Sequence, residues 1–261
     1  MVGWWPRAGR MVAAQARAHS VERSDAKASS RQIDHTHSRC EARMGFARKN
    51  GVYITRWLAI ATIVFGSLFY LVGAALKPDY SHLSHFISEL NASGTPWARS
   101  LGLFGFVPLG LLFSGFLIAA SPLVQVGGAS RVGFWLLWSQ PVAFIGVALA
   151  PCDPGCPLGG SLTQVAHDIL GVLTYFAGAA AMVLLSFSPV LSPHWRSTLM
   201  ASGIAWMLLF VLMLQPELAQ VRGLLQRIAD GLLAMVVALV AWRLVGQPAL
   251  SRGALHLRSQ P

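Results

Sequence analysis

The sequence predicts an all-α fold: a polytopic membrane bundle of about six transmembrane helices with both termini cytoplasmic. Three observations predict it. The 261 residues are 54% hydrophobic and only 11% charged, where a soluble domain carries roughly 25% charged residues. Mean hydropathy is +0.55. The apolar residues fall in long runs, and runs of roughly 17–25 residues cross a bilayer as helices. Together these exclude an ordinary soluble fold, a coiled coil and a chain disordered throughout.

Residues 1–50 read as a disordered basic tail, rich in Ala, Arg, Ser and His and free of any long apolar run. The tail supplies most of the net charge of +10. It lacks the short apolar core of a secretory signal, and Glu22, Asp25, Asp34 and Glu41 argue against an organelle transit peptide. Met44 offers an alternative start. Nucleic acid is not an expected partner, because beyond Trp4 and Trp5 no aromatic residues interleave the basic ones.

A transmembrane domain is expected over 51–247, followed by a short basic cytoplasmic tail, 248–261. Its spans are placed at 56–76, 100–120, 132–150, 168–187, 198–214 and 228–244. Only helices satisfy the backbone in lipid at such lengths. Pro108 and Pro141 should kink the second and third spans. The Gly/Ala-rich stretch 171–181 in the fourth offers small residues for close helix contact. The Lys/Arg balance puts both termini inside. Trp57, Trp195 and Trp242 then mark the inner interface and Trp97 the outer one.

The acids of this domain are Asp79, Glu89, Asp153, Asp168, Glu217 and Asp230, and all are expected on outer loops or outer helix ends. His82, His85 and His167 join them. This segregation predicts a polar pocket opening on the outer face. No ionisable group falls at the midplane of these spans and no internal repeat is visible, which argues against a transporter.

In the first outer loop Leu83, Phe86, Ile87 and Leu90 follow helical spacing. That predicts a short amphipathic helix with His82, His85 and Glu89 in one arc. In the second, Cys152 and Cys156 bracket Asp153-Pro154-Gly155, a turn that brings the two cysteines within disulfide range in an oxidising compartment. Asp153 reads as a turn cap. His167-Asp168 opens the fourth span. His167 is either a base or metal ligand oriented by a carboxylate, with Asp153 first and Asp168 next as partner, or Asp168 simply serves the helix N-terminus. In the last, Arg227 and Asp230 stand at i, i+3 and read as an ion pair, the alternative being that Arg227 holds an anion. Asn91-Ala92-Ser93 fits the glycosylation sequon.

These residues form a recognisable order. Ile87-Ser88-Glu89-Leu90 follows the first span, Pro151-x-Asp153-x-Gly155 the third, His167-Asp168 opens the fourth, and Gln226-Arg227 precedes the last. Over roughly residues 55–246 the chain resembles the uncharacterised, bacterial-type membrane-protein family known as domain of unknown function 998. The resemblance implies about six helices and a membrane location, and no established reaction. The positions matching its pattern are Ser88, Glu89, Asp153, His167, Asp168 and Arg227. A more distant analogy is to ceramidase-like membrane hydrolases, from which this chain departs in having too few spans and no paired histidines on a late helix.

The expected function is that of a multi-pass membrane protein, in the plasma or inner membrane with its outer loops extracytoplasmic. Its pocket of Ser88, Glu89, Asp153, His167 and Arg227 would bind a lipid headgroup or small amphiphile, Arg227 facing the anion. One alternative is a metal-dependent hydrolase, with zinc on His167, Asp153 and His85 and with Glu89, Asp168 or Ser88 in the chemistry. Another is an assembly or scaffold subunit. The first reading needs no cofactor. The sequence sets no oligomeric state.

Overall fold

A computed structural model describes residues 45–246. The described residues from Asn50 onward form one compact unit. The tail 1–44 and the C-terminal stretch 247–261 lie outside the described residues, and with them the expectations placed there. Six helices are long and apolar enough to span a membrane: α1 Gly45–Leu76, α2 Ala98–Ala120, α3 Ala129–Leu149, α4 Leu162–Leu185, α5 Pro193–Met213 and α6 Arg222–Leu244. The protein is an integral, multi-pass helical bundle, and its helices contact the bilayer.

Sequential helices from α2 to α6 pack on one another. Short connections make such neighbours antiparallel. α1 lies against α2, where Phe69 meets Phe106 edge-on at 4.8 Å. It also reaches α6, where Arg56 Nε donates to the Ala241 carbonyl at 3.4 Å. The core draws on all six helices, with Phe113, Phe116, Phe134, Met182, Trp206 and Val236 among its buried members. Large apolar side chains point outward, including Phe104, Leu149, Leu173 and Ile204. An outward apolar surface of this extent is what lipid contact requires.

Both expected proline distortions are present, each in the turn before the proline. α2 winds as a π-helix over Gly102–Phe106, just ahead of Pro108. α3 breaks into Ala129–Leu136 and Ser139–Leu149, with Pro141 in the first turn of the second piece. Proline has no N–H and crowds the carbonyl four residues back, so the ladder yields there.

Small residues set the helix spacing. A Cβ on Gly133 of α3 would meet Leu185 N at 2.8 Å and Ala181 O at 2.9 Å on α4. One on Gly203 of α5 would meet Ala179 O at 2.9 Å. Gly178, Ala179 and Ala181 therefore do what the 171–181 stretch promises, whereas Gly171 faces open space.

The helices begin earlier than hydropathy suggests. Ser161 caps α4, accepting a bond from Gln164 N at 3.2 Å. α5 opens on Pro193, where a missing N–H costs nothing. The start of α6 at Arg222 rather than near Ile228 puts Asp230 about two turns, roughly 12 Å, below the helix start.

Since the atoms facing Gly133 are backbone, Gly133→Ala has to push α3 from α4. The expected cost is about 1–3 kcal/mol, read as a lowered melting temperature in detergent. Gly171→Ala, with no neighbour to meet, should melt like the wild type.

Candidate functional site

The loops 77–97, 150–161 and 214–221 share one face of the bundle. There the first loop makes two turns rather than the expected amphipathic helix. Ser81 Oγ accepts from Leu83 N and Ser84 N, His85 Nδ1 accepts from Ser81 N at 3.0 Å, and Glu89 Oε1 accepts from Phe86 N at 2.9 Å. Side chains thus take the backbone donors that a continuous helix needs. Phe86 is extended, and a 3-10 helix, Ile87–Asn91, follows. Ile87 and Leu90 are buried beneath it, while Leu83 stays exposed.

Arg222 fastens this loop. Its Nε donates to Ser84 O at 3.1 Å, and its Nη2 donates to Glu89 Oε1 at 3.2 Å and to Gly155 O at 3.0 Å. The guanidinium also covers the Phe86 ring at 4.5 Å. Gln226 Oε1 accepts from Ile87 N at 2.6 Å. Arg227 is not ion-paired with Asp230 among the described residues. It donates instead to His82 Nδ1 at 3.1 Å, His85 O at 3.1 Å, Gly223 O at 2.8 Å and Tyr80 Oη at 2.8 Å. Desolvation, followed by the Arg227 charge, holds the His82 pKa below the ordinary histidine value.

The second loop is held from α4. Cys152 and Cys156 are placed as a disulfide, with Cα atoms 5.2 Å apart. The intervening turn puts Gly155 and Cys156 at φ 80° and 43°. Asp153 caps the loop, accepting from Ser161 N at 2.9 Å and Ser161 Oγ at 2.7 Å. These bonds keep its carboxyl below the usual carboxylate range. Gln164, fully buried, accepts from Asp153 N and donates to Asp168 Oδ1, each at 2.7 Å. Asp168 also accepts from Gly159 N at 2.9 Å. The partner of His167 is neither acid: its Nδ1 lies 3.0 Å from the Ala150 carbonyl. Asn91 of the sequon is buried and donates to Val147 O at 2.8 Å.

Beneath the loops is a chamber of about 100 Å³ to which every helix contributes. Its polar lining comprises Tyr70, Ser88, Gln140, His167, Thr174, Tyr175, Gln226 and Asp230. Tyr70 interacts with the Asp230 carboxylate, and Gln226 with the Tyr175 hydroxyl. A second cavity of about 190 Å³ runs down from it beside α1 and α6, sharing Tyr70, Phe144 and Asp230 as common walls. Below them it is mostly apolar, lined by Ile63, Leu109, Phe113, Leu233 and Val237.

Of the expected site, Ser88 and His167 meet in the chamber. Arg227 lines the second cavity with four of its five N–H donors engaged. Glu89, Asp153 and Asp168 serve the loops. His85 does not gather with His167 and Asp153 among the described residues; the one group there with metal-ligand spacing is Cys152, Cys156 and His167. The sequence reading missed Arg222, Tyr70, Gln140 and the depth of Asp230. Arg222, Gln226 and Asp230 are spaced i, i+4, i+8, a single helix face, and that was the available signal.

Two outcomes follow from this geometry. Arg222→Ala leaves a largely buried Glu89 and two carbonyls without their donor, at a cost of roughly 2–3 kcal/mol; a lowered melting temperature and faster proteolysis at 81–90 check it. Arg222→Lys, lacking the planar fork, should recover little. Because the folded His82 pKa is depressed, its contribution to stability is present above the ordinary histidine pKa and is lost as pH falls from there through the folded value. Titration of its ring by NMR should show protonation at lower pH than a free histidine, and in Arg227→Gln a shift part of the way back, since the desolvation remains.

The profile of a family described as protein of unknown function (DUF998) matches residues 59–243. No curated protein and no solved structure matches the chain. The matched stretch runs from Ala59 in α1 to Arg243 in α6 and takes in every residue that lines the chamber. On that match, and with six apolar helices, the chain belongs to DUF998, a family of unknown function.

Proposed function

We propose that the protein binds an amphiphile from within the bilayer, its polar head in the Asp230 chamber and its chain in the groove beside α1 and α6. The observation that carries this reading is the shared wall of Tyr70, Phe144 and Asp230 between a polar chamber and an apolar groove. A concave apolar site with a few convergent polar groups is the usual form of a small-molecule site. The polar end presents a carboxylate beside phenol, amide and hydroxyl groups, so a head bearing hydroxyls or an amine fits it. Arg227, with N–H groups on Tyr80, His82 and two carbonyls, is a poor anion receptor, and contact with the head passes to Asp230, which favours a donor or cation rather than an anion. The zinc hydrolase built on His167, Asp153 and His85 finds no support, since Asp153 and His85 are engaged with Ser161 and Ser81.

An acid at this depth in a helix costs roughly 2.5–3.5 kcal/mol in lipid, which marks Asp230 as kept for function. Gly231, on the groove wall, has nothing within 4 Å of a Cβ, so Gly231→Leu is the substitution chosen to fill the groove. The test is mass spectrometry of lipids retained by detergent-purified wild type, Asp230→Asn and Gly231→Leu. One amphiphile class should be enriched in the wild type over total membrane lipid and depleted about tenfold in both variants, a loss of about 1.4 kcal/mol. Asp230→Asn should melt at or above the wild-type temperature. A wild-type lipid profile equal to that of an unrelated membrane protein, or unchanged enrichment in both variants, overturns the reading.

A further inference from the structure

We propose that reduction of the Cys152–Cys156 bridge opens a metal site, in which the two thiolates and the His167 imidazole hold one thiophilic divalent cation of the zinc and cadmium class. The two sulfurs and a ring nitrogen of His167 lie within 4.8 Å of one another. Tetrahedral coordination with bonds of about 2.0–2.3 Å sets its ligands roughly 3.3–3.8 Å apart, so small side-chain rotations suffice. The glycine turn between the cysteines, with Gly155 at φ 80°, leaves room for them.

Two further features fit a site. His167 Nδ1 lies 3.0 Å from the Ala150 carbonyl, the backbone contact that fixes ring orientation and tautomer in metal-binding histidines. Ser88 Oγ lies 3.5 Å from Cys156 Sγ, and both Ser88 and His167 line the chamber. Two thiolates and one imidazole therefore leave a fourth position on the chamber side. Cys152 is fully buried, whereas Cys156 and His167 are half-buried, which gives the ion a way in.

The chemistry balances with an added phosphine. The phosphine attacks one sulfur and the S–S bond breaks. Water supplies the oxygen of the phosphine oxide, and its two protons end on the two thiols. Metal binding then releases two protons as both thiols become thiolates.

The test uses the full chain in detergent, with Cys40→Ser removing the remaining cysteine. Phosphine-reduced and oxidised samples are titrated anaerobically with cadmium. The readouts are ultraviolet thiolate-to-cadmium charge transfer and the bound metal per chain. One cadmium per reduced chain is expected, none in the oxidised chain and none in reduced Cys152→Ser. His167→Gln, which keeps a donor for Ala150 but is a poor thiophile ligand, should bind at least about tenfold more weakly; His167→Ala provides a second replacement. No charge-transfer band on the reduced protein overturns the proposal, and so does unchanged affinity in both His167 variants, which would mean a bare dithiol.

Discussion

The guanidinium of Arg222 ties the loops over the chamber to the bundle. It stands on the first residue of α6, where the helix dipole disfavours a cation by roughly 0.3–1 kcal/mol. Its position is explained by what it reaches: Ser84 and Glu89 in the first loop and Gly155 in the second. Gly223 completes the contact, because any Cβ there would strike the backbone of His85. Without that approach, Leu224 N could not donate to Leu83 O at 3.0 Å, nor Gln226 receive Ile87 N. The floor of the lid, Ile87 and Ser88, is placed over the chamber by these bonds.

Fastening the loops engages most of their charged groups. Glu89 meets Arg222, Asp153 meets Ser161, Asp168 meets Gln164 and Gly159, and Arg227 meets Tyr80 and two histidine-bearing turns. Lys77 follows the same rule, donating to Glu89 O and Thr95 Oγ1 at 2.6 Å each. A lid at a membrane surface must satisfy its polar groups internally wherever water is scarce, and these pairings do so for the charged groups named; Asn91 Oδ1 is buried without a partner. Asp230 is different: it stands below the lid, facing two cavities, with a tyrosine and no ion pair within its helix. The charged groups named in the loops are thus engaged there, and Asp230 is the acid that lines both cavities.

The six helices were legible because lipid imposes long apolar runs. Their polar first turns were not, since hydropathy marks the hydrocarbon slab rather than the helix end. The residues 162–167 of α4 and 222–227 of α6 are helical yet polar, and omitting the latter left Asp230 at a mouth it does not occupy. The 81–90 periodicity misled because Ser81, His85 and Glu89 compete for backbone donors, which a face-by-face count ignores. His167 was assigned a carboxylate partner when a backbone carbonyl serves, and a carbonyl leaves no mark in sequence. The order of motifs around Ser88, Asp153, His167 and Arg227 did carry the family. It said nothing of depth, which decides which of these groups faces a ligand.

The first and second loops are joined by Arg222 and by Ser93 N on Cys152 O at 2.8 Å. The bilayer side is different. Gly66 and Ser67 of α1 and Gly231 and Ala234 of α6 line the groove there. Small residues in membrane helices ordinarily bring two helices into contact, and Gly133 and Gly203 do so in this bundle. At Gly231 the same residue type faces empty space, whereas a Cβ on Gly66 would meet Leu109 at 3.3 Å, so the gap rather than seam lies on the α6 side. On the proposed reading, a gap that ends on an acid would select for molecules already dissolved in the bilayer, an apolar chain bringing the head to the depth of Asp230 without crossing the lid.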